Sequence, residues 1–268
     1  MEKKYNYKKR LTSMIKVDFR RMFTKPIYYI MVGISIIIPI LILVMTTLMA
    51  GTESKDHITG EITIMEQIFT NVWQAIGTVS NTSGSEQAMT LDLTKMCNIN
   101  MMFFAVAVLV CIFVSDDFRS GYVKNLFTVR SNKKDYVISK TLVGFVGGVS
   151  MILAYFIGAI IGGAIANLSF ELVNVELINV IFCILSKVIL VGVFVPIFLV
   201  MSVVGKQKTW LSMIGAFMVS MLLFTMIPMI SPLDSTFMNV LLSLAGSLLF
   251  SIGIGAISNL ILKKTSLV

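Results

Sequence analysis

The chain has 268 residues, 56% of them hydrophobic and only 13% charged, with a formal net charge of +8. That usage excludes an ordinary soluble domain and predicts an all-α polytopic membrane protein. A basic surplus alone would fit either nucleic acid or a membrane surface, so its distribution along the chain has to decide.

Residues 10–25 carry Leu11, Ile15, Phe19, Met22 and Phe23 at helical spacing, with Lys16, Arg20, Arg21 and Lys25 on the other side. This pattern predicts an amphipathic helix lying in the membrane interface. Pro26 marks a bend into the first apolar run, residues 27–49, where Pro39 predicts a kink. The charged lead-in and the length of that run argue against a cleaved leader, so the first helix itself is expected to target the chain.

Residues 50–95 are too long for a plain connector. Ile62, Met65, Phe69, Val72 and Ile76 repeat at threes and fours and predict a short amphipathic helix, followed by flexible composition from Asn81 to Ser85. The second run, 96–115, leads into a polar island at 116–136. Further runs follow at 137–166, 177–204, 209–230 and 237–262. Each run is long enough to cross a hydrocarbon core of about 30 Å, and each must be helical because lipid offers no partner for an unpaired amide. Gly144 and Gly148, then Gly158 and Gly162, stand four apart, which permits close helix approach either within one chain or between two.

With six spans and both termini in the cytoplasm, all 22 Lys and Arg residues except Lys55, Lys95 and Lys187 fall in or at the edge of the inner segments. The positive-inside rule therefore sets the orientation and assigns the surplus to topology and anionic lipid, not to nucleic acid.

Reactive groups are scarce. His57 is the single histidine, Cys97, Cys111 and Cys183 have no metal spacing, and no phosphate-binding glycine loop occurs; Gly205-Lys206 is followed by Gln207. Neither a catalytic nor a metal site is expected. Lys187 is the one charge inside a span, free to snorkel, pair with an external acid or line a polar pathway. Without chemistry or an ion-coupling carboxylate of its own, a transporter of this shape must draw its energy from another protein.

The island is where such a contact would form. Asp116, Asp117 and Arg119 are suited to capping and pairing at the end of the second span. After Gly121, Tyr122, Val123, Lys124, Asn125, Leu126 and Phe127 give a short helix more apolar surface than a solvated loop needs, which suits a partner's groove. Arg130, Lys133, Lys134 and Lys140 follow, with Lys140 placed at headgroup level. This layout, with an acidic residue before Gly121, Arg130-Ser131 after it and Lys140 at the next span, resembles the type-2 ATP-binding-cassette (ABC) permeases. The similarity is greatest to the small permeases of bacteriocin and lantibiotic immunity and of peptide export. Members usually have Glu before the glycine and often Pro near the Arg, where this chain has Asp116 or Asp117 and Val129.

The resemblance implies a coupling helix at about Gly121 to Thr128 seated in a cytoplasmic ABC ATPase, two copies of which would carry ATP and Mg; this chain itself would need no cofactor. It further implies a second permease copy or a sister permease, in a bacterial cytoplasmic membrane. Met213, Met218 and Met221, with Met226 and Met229, offer an adaptable apolar surface in the fifth span, either packing or a cargo pathway shared with Lys187. Few fixed charges favour amphipathic or apolar cargo, antimicrobial peptides first, then hydrophobic drugs or lipids. A membrane enzyme and a non-transporting sensor or assembly subunit are the competing classes. The former would need paired catalytic residues within the bilayer, whereas the latter could share the topology.

Overall fold

The computed structural model describes residues 2–55, 62–64, 67–79, 97–129, 133–172 and 175–264. Among the described residues the regular elements are helices and 3-10 turns apart from one small ladder. Helix α1 is Glu2–Phe23 and α2 is Pro26–Met49. Strands β1 (Glu53–Lys55) and β2 (Ile62–Ile64) pair antiparallel, and a 3-10 turn covers Val72–Ala75. A second 3-10 turn, Ile99–Met101, leads into α3 (Met102–Arg119), followed by α4 (Tyr122–Val129), α5 (Lys133–Ile165) and α6 (Leu177–Gly205). The last three are α7 (Thr209–Phe224), α8 (Ile227–Ile230) and α9 (Phe237–Lys264).

Five of these stretches are long and apolar enough to cross a membrane: α2, α3 with its leading turn, α5, α6 and α9. This is the signature of a multi-pass membrane protein. The run expected at 209–230 is not one continuous helix. It is the 16-residue α7, then a turn at Thr225 and Met226, then the single turn α8. Pro228 lies in the first turn of α8, where its missing N–H is tolerated, and it could not continue a helix from α7 without loss of a hydrogen bond.

The expectation of an amphipathic helix through Ile62, Met65, Phe69, Val72 and Ile76 is corrected. Ile62 lies in β2, Val72 begins a 3-10 turn, and Met65 lies outside the described residues, as do His57, Lys95 and 81–85. Asn71 caps the turn: its side chain accepts from the Trp73 amide, while the Gln74 side chain reaches back to the Asn71 amide. The turn sits over the end of α5, with the Val72 amide donating to the Ser169 carbonyl at 3.1 Å and the Trp73 indole to the Phe170 carbonyl at 2.9 Å.

Lipid supplies no hydrophobic drive between helices, so close packing has to hold the bundle. All four spaced glycines of α5 are used within the chain. A Cβ at Gly158 would lie 2.3 Å from the Ile36 carbonyl oxygen, and one at Gly162 2.8 Å from the Ile40 Cα, so α2 and α5 touch backbone to backbone around Pro39. Gly144 and Gly148 make the same room for Val195 and Val191 of α6. Helix α6 is the most deeply packed of the long helices, and α9 packs mainly on α6. The large exposed apolar side chains of α2, α7 and α9, such as Leu48, Leu222 and Leu249, are the surface a bilayer would cover.

Because the Ile36 carbonyl cannot retreat like a side chain, Gly158→Leu is expected to cost at least about 1–3 kcal/mol through overpacking. Gly33→Ala, where nothing lies within 4 Å, is expected to be neutral or mildly stabilising. Thermal unfolding of the two variants in detergent, compared with the parent chain, checks the difference.

Candidate functional site

The densest polar structure is at the end of the bundle where α1, α3 and α5 meet. Asp18 stands four residues from Met14 and four from Met22, so all three share the inward stripe of α1; each is at most 3% exposed. Asp117 lies in the last turn of α3 and Lys140 two turns into α5, and both are buried. The Lys140 ammonium lies 2.9 Å from Asp18 Oδ1 and 2.7 Å from Asp117 Oδ2, bridging the two carboxylates. Ser139 donates its hydroxyl to the other Asp18 oxygen at 2.5 Å, and the Tyr136 hydroxyl donates to Asp117 at 3.1 Å. Arg21 Nη1 is 2.8 Å from Asp117 Oδ1, which brings the cluster of Asp18, Asp117, Lys140 and Arg21 to zero formal charge.

Two further ion pairs fasten the same helix. Lys25, in the bend between α1 and α2, holds Asp116 at 2.5 Å, and Arg10 holds Asp135 at 2.6 Å. Cations expected to face lipid headgroups are thus divided by helical phase. Lys16 and Arg20 remain exposed, while Arg21 and Lys25 turn inward and, together with Arg10, join the α1 end to α3 and α5. Lys140, expected at headgroup level, is 1% exposed, and its ammonium lies 3.8 Å from the Phe113 ring centroid. Asp18 is the member that apolar periodicity overlooks. The available signal was an acid flanked at four residues on each side by methionine.

From this anchored end α4 projects. Gly121 makes the turn with φ +71°, a conformation costly for any other residue although open space surrounds it. The Ser120 amide donates to the Asp116 carbonyl at 2.9 Å, closing α3. Tyr122 then lies under Arg21, whose guanidinium carbon is 3.9 Å from the ring centroid. Burial, then the charge of Asp18, pushes the Tyr122 phenol up from its ordinary pKa, so the ring stays neutral beside the cluster.

Val123 is buried, and Leu126 and Phe127 are half-buried on the core, Phe127 edge-on to Tyr136 at 5.7 Å. The apolar side chains expected to fill a partner's groove therefore turn largely toward their own chain. Lys124, Asn125 and Thr128 are exposed, as is Arg119 at the end of α3. Arg130 lies outside the described residues.

The remaining candidates do not converge. Lys187 is fully buried at the opposite end of α3, donating to the Asn100 side chain at 2.7 Å and the Ser231 carbonyl at 3.1 Å. It ties α6 to the turn before α3 and to the connection before α9. Met213 packs on the core, whereas Met218 and Met221 are exposed and line an apolar groove of about 610 Å³ with Phe104, Phe217 and Leu222. Among the described residues, no three His, Cys, Asp or Glu side chains are grouped to hold a metal ion.

Removing one member of a buried, charge-balanced cluster strands its partners. Lys140→Met leaves Asp18 and Asp117 facing one another and is expected to destabilise the chain by about 3–5 kcal/mol. Lys124→Ala, on the exposed side of α4, is expected to stay within about 0.5 kcal/mol of the parent. Equilibrium unfolding in mixed micelles measures both.

No family model, curated protein or solved structure matches this chain.

Proposed function

We propose that the chain is the membrane-spanning subunit of an ATP-driven exporter for amphipathic or apolar cargo, peptides foremost, powered by a separate cytoplasmic ABC ATPase. The observation that carries this reading is α4: a short helix bound through Tyr122, Val123 and Phe127 to three other helices, with Lys124, Asn125 and Thr128 turned outward. A force applied to that outward face would reach α3 through the Gly121 turn. It would pass to α5 through Phe127 and Tyr136, and to α1 through Tyr122 and Arg21. A linkage this short passes displacement on as a rigid body.

In this reading α4 is the coupling helix, its polar face meets the ATPase, and ATP with Mg is held on that partner. The end carrying the ion cluster is cytoplasmic, which places Lys206, Lys208, Lys263 and Lys264 on the same side in keeping with the positive-inside rule. Helix α7, about 24 Å long at 1.5 Å per residue, makes the sixth crossing together with α8. Two permease chains flank the path. The groove of Phe104, Phe217, Met218 and Met221 supplies the deformable apolar wall that such cargo requires.

A photo-crosslinking residue introduced at Asn125 tests this reading in native membranes. The expected product is a covalent adduct with a protein that is itself labelled by 8-azido-ATP, and Lys124→Glu is expected to reduce its yield several-fold without lowering the amount of folded chain. Adducts only with lipid, or with proteins that bind no nucleotide, would refute it.

A further inference from the structure

A second feature lies away from α4, on the flank where α5 and α9 run side by side. Helix α9 is pinned at two places. At Gly192 of α6 the approach is so close that a Cβ would fall 2.1 Å from Ser247 Oγ, and Ser251 donates to the Gly192 carbonyl at 3.0 Å. Near its C-terminus the Lys133 ammonium donates to the Leu262 carbonyl at 2.6 Å. Between these pins α5 and α9 pack more loosely: a Cβ on Gly255 would find only an ordinary contact with Val137 Cγ1, at 3.8 Å. The gap is a groove of about 810 Å³, within the span of about 300–1,000 Å³ typical of ligand sites.

The groove is chemically divided. Its length is apolar, walled by Val137, Leu142, Phe145 and Ile252, and its mouth carries Lys134 and Lys263 on opposite helices. One turn deeper than Lys263, Asn259 also lines it. That side chain is 7% exposed, and its amide oxygen has no hydrogen-bond partner among the described residues. A buried acceptor without a donor costs stability unless something in the groove satisfies it. Two cations at the rim, an unpaired acceptor below them and an oily slot beyond are the complement of a phospholipid with an anionic, hydroxyl-bearing headgroup.

We propose that this groove is a binding site for such an anionic phospholipid from the surrounding bilayer. Lys134 and Lys263 hold the phosphate, Asn259 accepts from a headgroup hydroxyl, and an acyl chain lies between α5 and α9. The site stands independently of the exporter reading, since it needs only that the helices are embedded in lipid.

Native mass spectrometry of the full-length chain, delipidated in neutral detergent and titrated with phosphatidylglycerol or phosphatidylcholine, tests it. Each lysine near the anionic group is expected to contribute about fivefold, so the parent chain should retain phosphatidylglycerol at least tenfold more tightly than phosphatidylcholine. Lys134→Gln with Lys263→Gln should cut that preference by about fivefold or more, leaving what the Asn259 contact with the headgroup hydroxyl supplies, and Gly255→Leu, which fills the slot, should lower binding of both lipids at this site. Should Gly255→Leu fail to fold, Ile252→Trp on the exposed rim fills the same space. Equal retention of the two lipids by the parent chain would overturn the proposal. So would a preference undiminished by the lysine pair, phosphatidylglycerol retention unchanged in the groove-filling variant, or a groove that takes up an amphipathic peptide or a second copy of the chain in place of lipid.

Discussion

A lysine and two aspartates cannot enter a helix bundle one at a time. Moving a single carboxylate or ammonium out of water costs several kcal/mol even after relaxation, so Asp18, Asp117 and Lys140 are buried together or not at all. Because they come from α1, α3 and α5, burying them fixes three helices in one register. Arg21 balances the remaining charge and also covers Tyr122, which brings α4 into the same body. The pairs Lys25–Asp116 and Arg10–Asp135 then hold both ends of the docked stretch of α1. A helix that its amphipathic pattern would leave floating on the membrane surface is thereby built into the protein.

The two ends of the bundle solve the burial of a lysine differently. At the basic end Lys140 meets full countercharges, which resists any rearrangement that would separate them. At the other end Lys187 is held by neutral acceptors, the Asn100 amide and the Ser231 carbonyl, which can be exchanged for water at lower cost. Between them, glycine-mediated contacts of α5 with α2 and α6 set the helix spacing without electrostatics. This arrangement makes the basic end the stiff one, as force transmission through α4 would require.

Much of the architecture was legible in the sequence because the constraint behind it is simple. Twenty apolar residues in lipid must form a helix, and α2, α3, α5, α6 and α9 fall within a few residues of the apolar runs. The short helix after Gly121 was legible too, from the apolar surface that Tyr122 to Phe127 carry beyond a loop's need. What was not legible depended on partners distant in sequence. Ile62 and Val72 obey a helical period, yet pairing with β1 and with Ser169 decides their geometry. The facing of Tyr122 and Phe127 depends on Arg21 and Tyr136, which no local pattern announces. Asp18 was hidden because a hydrophobic stripe is read from its apolar members, while the informative residue was the charged one among them.

Hydrogen exchange of the full-length chain in lipid nanodiscs tests the central claim, that a shared buried ion cluster makes α1 and α4 one body. The account predicts that amides of residues 10–23 and 122–129 are protected alike and that Asp18→Asn accelerates both segments by a similar factor. Exchange in α1 that is fast in the parent chain, or that rises in the variant while residues 122–129 stay protected, would contradict it.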